Sequence, residues 1–235
     1  MMYQTNQNEF TDVFLQNERP SNSNGLNTSN NDKVFISGLF EDEVSFDHVV
    51  LGESFYLAKI KVMRQSGNMD ILPVIMSERL FYDYINKPLK DRYVEIVGEI
   101  RSYSKTDDKG KSRLKVRLFA LGIKIFDDDD YEEYEGDSNS VYLRGFICRT
   151  PSYRTTPYGR EITDLMLAVN RRYGKSSYVP CIVWGRNARY AGKLGVGNNI
   201  KITGRLQSRK YQKKTDEGVQ EKTAYEISVS RIEKL

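Results

Sequence analysis

The sequence predicts an all-β chain that uses one five-stranded unit twice. Three observations carry this: apolar residues alternate with period two through most of residues 33–235, the order of elements repeats, and a nine-residue stretch of one half matches the other position by position.

In the first half, Val34–Leu39 alternates and closes near Gly38. Ser54–Arg64 follows, with Leu57, Ile60 and Val62 among its apolar positions, and after a turn at Gly67-Asn68 comes Ile71–Met76. Glu78–Asn86 then sets Leu80, Phe81, Tyr84 and Ile85 at helical spacing. Two further strands, Tyr93–Ser104 and Leu114–Ile125, are joined through Asp107-Asp108-Lys109-Gly110. After an acidic interruption the order starts again: strands Val141–Arg149, Ile162–Arg171 and Tyr178–Trp184, a short helix Arg186–Leu194, then strands Ile200–Tyr211 and Thr223–Ile232. Asp216-Glu217-Gly218 is a hairpin signal between the last two, and Gly195 and Gly197 close the helix. Leu72-Pro73-Val74-Ile75 parallels Val179-Pro180-Cys181-Ile182, and Val94–Ser102 parallels Ile200–Ser208. Five strands with a helix between the third and fourth is the pattern of the OB-fold. The expectation is therefore two tandem five-stranded OB-fold barrels, at 32–126 and 141–235, each with a short helix between strands 3 and 4. A polar tail (1–31) precedes them and an acidic linker (127–140) joins them.

The net charge of +4 hides a segregation. Residues 141–235 hold nineteen basic and seven acidic side chains, residues 32–126 sixteen and fourteen, and residues 127–140 eight acidic and none basic. A strongly basic unit beside a near-neutral one says that the second, specifically, meets a polyanion. One histidine, His48, rules out multi-histidine zinc sites and leaves a surface role as its reading. Gly110-Lys111-Ser112 and Gly174-Lys175-Ser176 lack the upstream glycine of a phosphate loop. No enzyme activity and no cofactor are expected. Cys148 and Cys181 are read as reduced core residues of a cytoplasmic protein, and no membrane span or signal peptide is visible. The tail, with eight asparagines, is expected to be disordered. Its apolar cluster Phe10, Val13, Phe14 and Leu15 is read either as a docking segment or as a collapsed tail.

Alternation sorts the second unit into faces. Val179, Cys181 and Val183 point to the core, as do Ile200, Ile202, Gly204 and Leu206. Tyr178, Pro180, Ile182 and Trp184 point outward, with Lys201, Thr203, Arg205, Gln207, Arg209 and Tyr211. Loops add Tyr153, Arg154, Tyr158 and Arg160; Arg171, Arg172, Tyr173 and Lys175; and Lys210, Lys213 and Lys214. Rings that stack on bases, interleaved with cations that track phosphates, grip a single strand without reading its sequence.

Residues 141–235 also resemble the bacterial single-stranded DNA-binding protein family. The resemblance lies in VYLRGFICRTPSYR, in Trp184-Gly185 before a short helix, and in Gly204-Arg205-Leu206-Gln207-Ser208-Arg209-Lys210-Tyr211. It implies base stacking on Tyr178, Trp184, Tyr211 and Tyr173, binding of single-stranded DNA in replication, recombination or repair, and a homodimer with four units. Pro180 departs from the family pattern, as does the end Ser-Arg-Ile-Glu-Lys-Leu in place of an acidic tail. Aligned with the stacking positions, the first unit offers only Ile71, Ser77 and Lys105, which marks it as a degenerate copy with a structural or oligomeric role. Three alternatives stand beside this reading: an assembly module of a replication complex, a single-stranded RNA binder, and metal-dependent hydrolysis by the acidic linker. Asp127–Glu135 is read as an extended linker, or as an internal competitor for the DNA groove that recruits replication or repair proteins once released.

Overall fold

The computed structural model describes residues 31–106, 110, 112–127, 138–171, 174–215 and 218–235, with backbone alone at 213–215. It is mostly β, with one α-helix. The strands are β1 (Asp32–Phe40), β2 (Ser45–Val50), β3 (Glu53–Met63), β4 (Met69–Ser77), β5 (Tyr93–Thr106) and β6 (Ser112–Ile125), then β7 (Asn139–Ile147), β8 (Ser152–Thr155), β9 (Glu161–Asn170), β10 (Ser176–Trp184), β11 (Asn199–Thr215) and β12 (Gly218–Lys234).

Pairing in the first half closes on itself. β1 pairs with β3 and β5, β3 with β4, β5 with β6, and β6 returns to β4 in parallel. The second half repeats this with β7, β9, β10, β12 and β11. Closure needs a sharply bent first strand that touches two neighbours. Gly38 and Gly145 supply it: a Cβ at either would run into the carbonyl oxygen of Lys61 or Ala168. The interior is filled from alternate positions of each strand, for example Val34, Ile36, Ile60, Leu72, Ile96 and Leu118 in one half. Val141, Leu143, Leu167, Val179, Ile202 and Ile227 fill the other. Full burial of such a side chain contributes roughly 1.5–3 kcal/mol, which fixes the register of each strand.

The halves meet through their first strands. β1 and β7 run antiparallel with Val34 opposite Val141, so the two equivalent valines face each other. The resulting order, β2-β3-β4-β6-β5-β1-β7-β11-β12-β10-β9-β8, reads the same from either end in equivalent strands. An internal pseudo-twofold axis therefore passes through this seam, and side-chain bonds reinforce it on both sides. Asp70 accepts from Ser208 N and Oγ at 2.7 and 2.8 Å, and Tyr178 N donates to Ser102 Oγ at 2.7 Å.

Several expectations are corrected. Each half has a sixth strand, β2 or β8, hairpinned onto the second strand of its ring. The turn from β2 to β3 is Leu51-Gly52, both left-handed, the geometry of a two-residue hairpin turn. The first helix is absent. Glu78–Leu80 and Tyr82–Tyr84 are two 3-10 turns, broken at Phe81, which adopts φ −131°. Phe81 packs edge-on against Tyr56 at 5.2 Å, and Pro88 leaves little chain in which a helix could form. The second helix is shorter than expected, α1 (Gly185–Ala191), with Ala188 and Ala191 buried. Cys148 is exposed, because it falls one step past the inward-facing Ile147; Cys181 is buried, and burial raises its thiol pKa. Both thiols are free. His48 lies at the surface as expected, bonded to Asp47 at 2.7 Å and stacked on Phe55. The tail, including Phe10–Leu15, and residues 128–137 of the acidic segment lie outside the described residues.

Candidate nucleic-acid interface

The outward face of the second unit is built across β11, β7, β9 and β10. On β10, Val179, Cys181 and Val183 are buried, while Tyr178 and Trp184 are 50% and 37% exposed. Strict alternation produces this: the inward positions fill the ring and the outward rings have no partner. Tyr178 lies in register with Ala168 on β9, and Ala168 with Phe146 on β7. Phe146 is 42% exposed, so two aromatics flank one small residue, roughly 10 Å apart at ordinary strand spacing. Sequence reasoning missed Phe146. Its signal was there, since Val141, Leu143 and Ile147 point inward and Phe146 must point out. Trp184 is in register with Ile162, which pairs with Arg154 on β8. Trp184 lies six positions along the strand from Tyr178, so the two rings stand roughly 20 Å apart.

The long β11–β12 hairpin is an arm whose pairing continues to Thr215 and Gly218. Arg205, Arg209, Lys210 and Tyr211 are exposed on it, and the Arg209 guanidinium lies 5.8 Å from the Tyr211 ring. Two outward assignments are corrected. Gln207 is buried because its amide donates to Glu226 at 3.0 Å, where Arg209 also binds. Ile182 is buried too, between its register neighbours Asp164 and Ser228.

Many of the cations are engaged locally. Arg154 pairs with Asp164 at 2.9 Å, Lys201 with Glu233 at 3.0 Å and Lys210 with Glu221 at 3.0 Å. The Tyr153 hydroxyl donates to Glu161, which also receives Arg189; together these hold the Glu161 carboxyl below its ordinary pKa. Such exposed pairs contribute roughly 0–1 kcal/mol each, so a phosphate can displace the acid at little cost. Arg160 and Lys175 make no ion pair among the described residues, and Tyr158 stands almost fully in solvent. Arg171 opens toward the other half of the molecule. Arg172 and Tyr173 lie outside the described residues, as do the side chains of Lys213 and Lys214. No group of three or more potential metal ligands occurs among the described residues, and no helix there is long and apolar enough to cross a membrane.

Fold and face together define a class: a duplicated β protein with an exposed aromatic and cationic surface on one unit. Residues 138–235 match the single-strand binding protein family, the bacterial family that the motifs of this unit led us to expect it to resemble. The single-stranded DNA-binding protein of Clostridium tetani is 36% identical over 83 residues, which is 32% of this chain and 57% of that protein. Single-stranded DNA-binding protein 1 of Staphylococcus aureus is 36% identical over 81 residues, 48% of its length. The chain thus spans about half the length of the curated relatives it matches. Among solved structures, the wild-type single-stranded DNA-binding protein from Thermus aquaticus superposes with a TM-score of 0.67 at 20% identity, covering 87% of this chain and 92% of that one. That likeness concerns the fold and includes both halves.

Proposed function

We propose that the chain binds single-stranded DNA, without marked sequence preference, on the outward face of residues 141–235. The two closed rings are read as OB-type barrels. The observation that carries the proposal is the pairing of exposed rings with cations across adjacent strands: Tyr178, Trp184 and Phe146 with Arg154 and Lys201, extended along the arm by Arg205, Arg209, Lys210 and Tyr211. Tyr153, Tyr158, Arg160 and Lys175 are read as part of the same surface, with Arg172, Tyr173, Lys213 and Lys214 added from sequence; Arg171, which faces the first unit, is read at its edge. The rings supply stacking and the cations supply phosphate contacts; no bond is made or broken. A homodimer would bring four rings together, and a role in replication, recombination or repair follows from the same reading.

Trp184 is the only tryptophan in the chain, so its emission reports on this face alone. Oligothymidylate should quench it, and duplex DNA of equal length should bind much more weakly. Trp184→Ala should lower affinity about five- to a hundredfold, the worth of roughly 1–3 kcal/mol per stacked base. Emission indifferent to saturating oligonucleotide would remove the face from consideration.

A further inference from the structure

The pseudo-twofold axis creates two equivalent junctions, where the arm of one half meets the end of a strand from the other. They share a backbone and differ in charge. At the first, Arg64 forks Asp70 through Nε and Nη2 at 2.6 and 2.5 Å and reaches Ser208 O at 3.0 Å. Beside it, Glu226 takes Gln207 and Arg209. Every cation there is answered from within.

Register identifies the counterparts at the second junction. Asp70 pairs with Val62, two residues before Arg64; Ser177 pairs with Val169, two residues before Arg171. Gln207 pairs with Glu226 on one arm, and Arg101 with Arg117 on the other. Serine therefore replaces one carboxylate and arginine the other. Arg101, Arg117 and Arg171 line a cleft of about 400 Å³ together with Tyr103 and Phe119. Glu99 lies 3.1 Å from Arg101, and Asp47 lies 2.9 Å from Arg117. Arg171 makes no ion pair among the described residues. Asp32 lies close to both Arg101 and Arg171, but burial drives its carboxyl toward the neutral form. The Nε atoms of Arg101 and Arg171 and the Ser177 hydroxyl are buried without a hydrogen-bond partner. Orphaned donors of this kind are uncommon in folded proteins, and they point to an anion.

We propose that this cleft is a second nucleic-acid subsite, in which Arg101 and Arg171 hold a phosphodiester and Tyr103 stacks the neighbouring base. Two features favour a strand over a free anion. The Arg101 guanidinium carbon already lies over Phe119, 3.2 Å from the ring centre, and Tyr103 stands exposed at the rim, so the cleft offers aromatic surface as well as charge. The cleft also adjoins the first site, because Tyr178 donates its backbone N–H to Ser102 Oγ within the lining. A strand stacked on Tyr178 runs directly onto the first unit, which is then no degenerate copy. The inference rests on the single-strand reading above.

The test uses the full chain, Trp184 emission and two oligothymidylates, of about 8 and about 30 nucleotides, chosen to cover one unit or both. Tyr103→Ala and Arg101→Gln should each weaken the long oligonucleotide about five- to tenfold and leave the short one unchanged. Arg101→Gln should also flatten the salt dependence by about 0.7 in log affinity per log salt, the share of one phosphate. Ser177→Asp restores the carboxylate that the other junction carries; it should close the subsite, with a similar loss on the long strand and no fall in melting temperature. Long-strand affinity equal to the parent in Tyr103→Ala and Ser177→Asp would overturn the proposal, as would an equal loss on the short strand. A parent that is quenched by neither oligonucleotide would instead sink the single-strand reading itself, a different result from parent-like variants.

Discussion

Asp32 and Asn139 occupy equivalent places beside the central seam, yet one is an acid and the other an amide. Asn139 satisfies both backbone groups of Leu206, accepting from its N–H at 2.9 Å and donating to its carbonyl at 2.7 Å. Asp32 accepts from Ile100 N at 2.9 and 3.0 Å and, when ionised, has nothing to donate. Burial raises its pKa well above the ordinary carboxylate range, against the bond from Ile100; Glu99 adds to the rise and Arg101 and Arg171 oppose it. The folded state thus holds the proton more tightly than the unfolded chain does. Asp32 therefore contributes its full stability at acid pH and loses it as pH rises through the folded pKa. Asp32→Asn should abolish that loss and stabilise the protein by about 1–3 kcal/mol on the alkaline side, the cost of a buried group left without its partner. Urea midpoints for parent and variant from pH 5 to 9 check this; parallel curves would mean that Asp32 stays ionised throughout. Residue-scale reading was good wherever alternation alone decides, as at Tyr178, Trp184, Val179 and Cys181. It failed at Gln207 and Ile182, where a neighbouring strand covers an outward position. Period two reports the face of a strand and not what lies across it.

At the scale of elements, the ten strands of the two rings were legible within a few residues, because each alternates over a long run of β-branched and aromatic residues. The short hairpin strands were not. Ser45–Val50 and Ser152–Thr155 are largely exposed, so no apolar alternation marks them. The first helix failed for a related reason. Leu80, Phe81, Tyr84 and Ile85 do cover the ring, but two 3-10 turns bring them there as well as a helix would. The β11–β12 arm is longer than its sequence pattern implied, since cross-strand pairing persists beyond the last buried residue. That extension carries the backbone of Lys213 and Lys214 beyond the ring, and the proposed function assigns both lysines to the phosphates of a bound strand. Replacing both by Gln should flatten the salt dependence of single-strand binding by about 1.4 in log affinity per log salt, two phosphates at about 0.7 each. Preference among bases should hardly change, because phosphate contacts position a strand without reading it. Fluorescence titrations at several salt concentrations give the slope directly, and a slope equal to the parent's would place both lysines off the path.

Across the whole molecule, duplication was readable but the seam was not. Matching stretches such as Val94–Ser102 and Ile200–Ser208 reveal two copies of a unit and say nothing of how the copies meet. The β1–β7 pairing, with Val34 against Val141, makes one chain into an internal dimer and sets the basic unit against the near-neutral one. Between them in sequence stands the acidic run Asp127–Glu135, whose charge must be reckoned with the face it adjoins. Of this run only Asp127 is described, and it pairs with Arg92 of the first unit at 2.6 Å. The remainder is joined directly to a unit with twelve more basic than acidic residues, and it interleaves Tyr131 and Tyr134 with carboxylates as a strand interleaves bases with phosphates. Tethering gives even a weak contact an effective concentration of about millimolar order. Two readings of the run follow, a spacer between the units or a competitor that DNA displaces from the basic face, and charge removal separates them. Changing Asp127, Asp128, Asp129 and Asp130 together to Asn should raise affinity for oligothymidylate several-fold at low salt. The gain should shrink toward nothing at about 0.15 M salt and above, where the screening length falls to about 8 Å. Breaking the Asp127–Arg92 pair complicates the comparison little, since Asp127→Asn alone controls for it. If the fourfold variant binds no better than the single one at low ionic strength, the run acts only as a spacer between the two units.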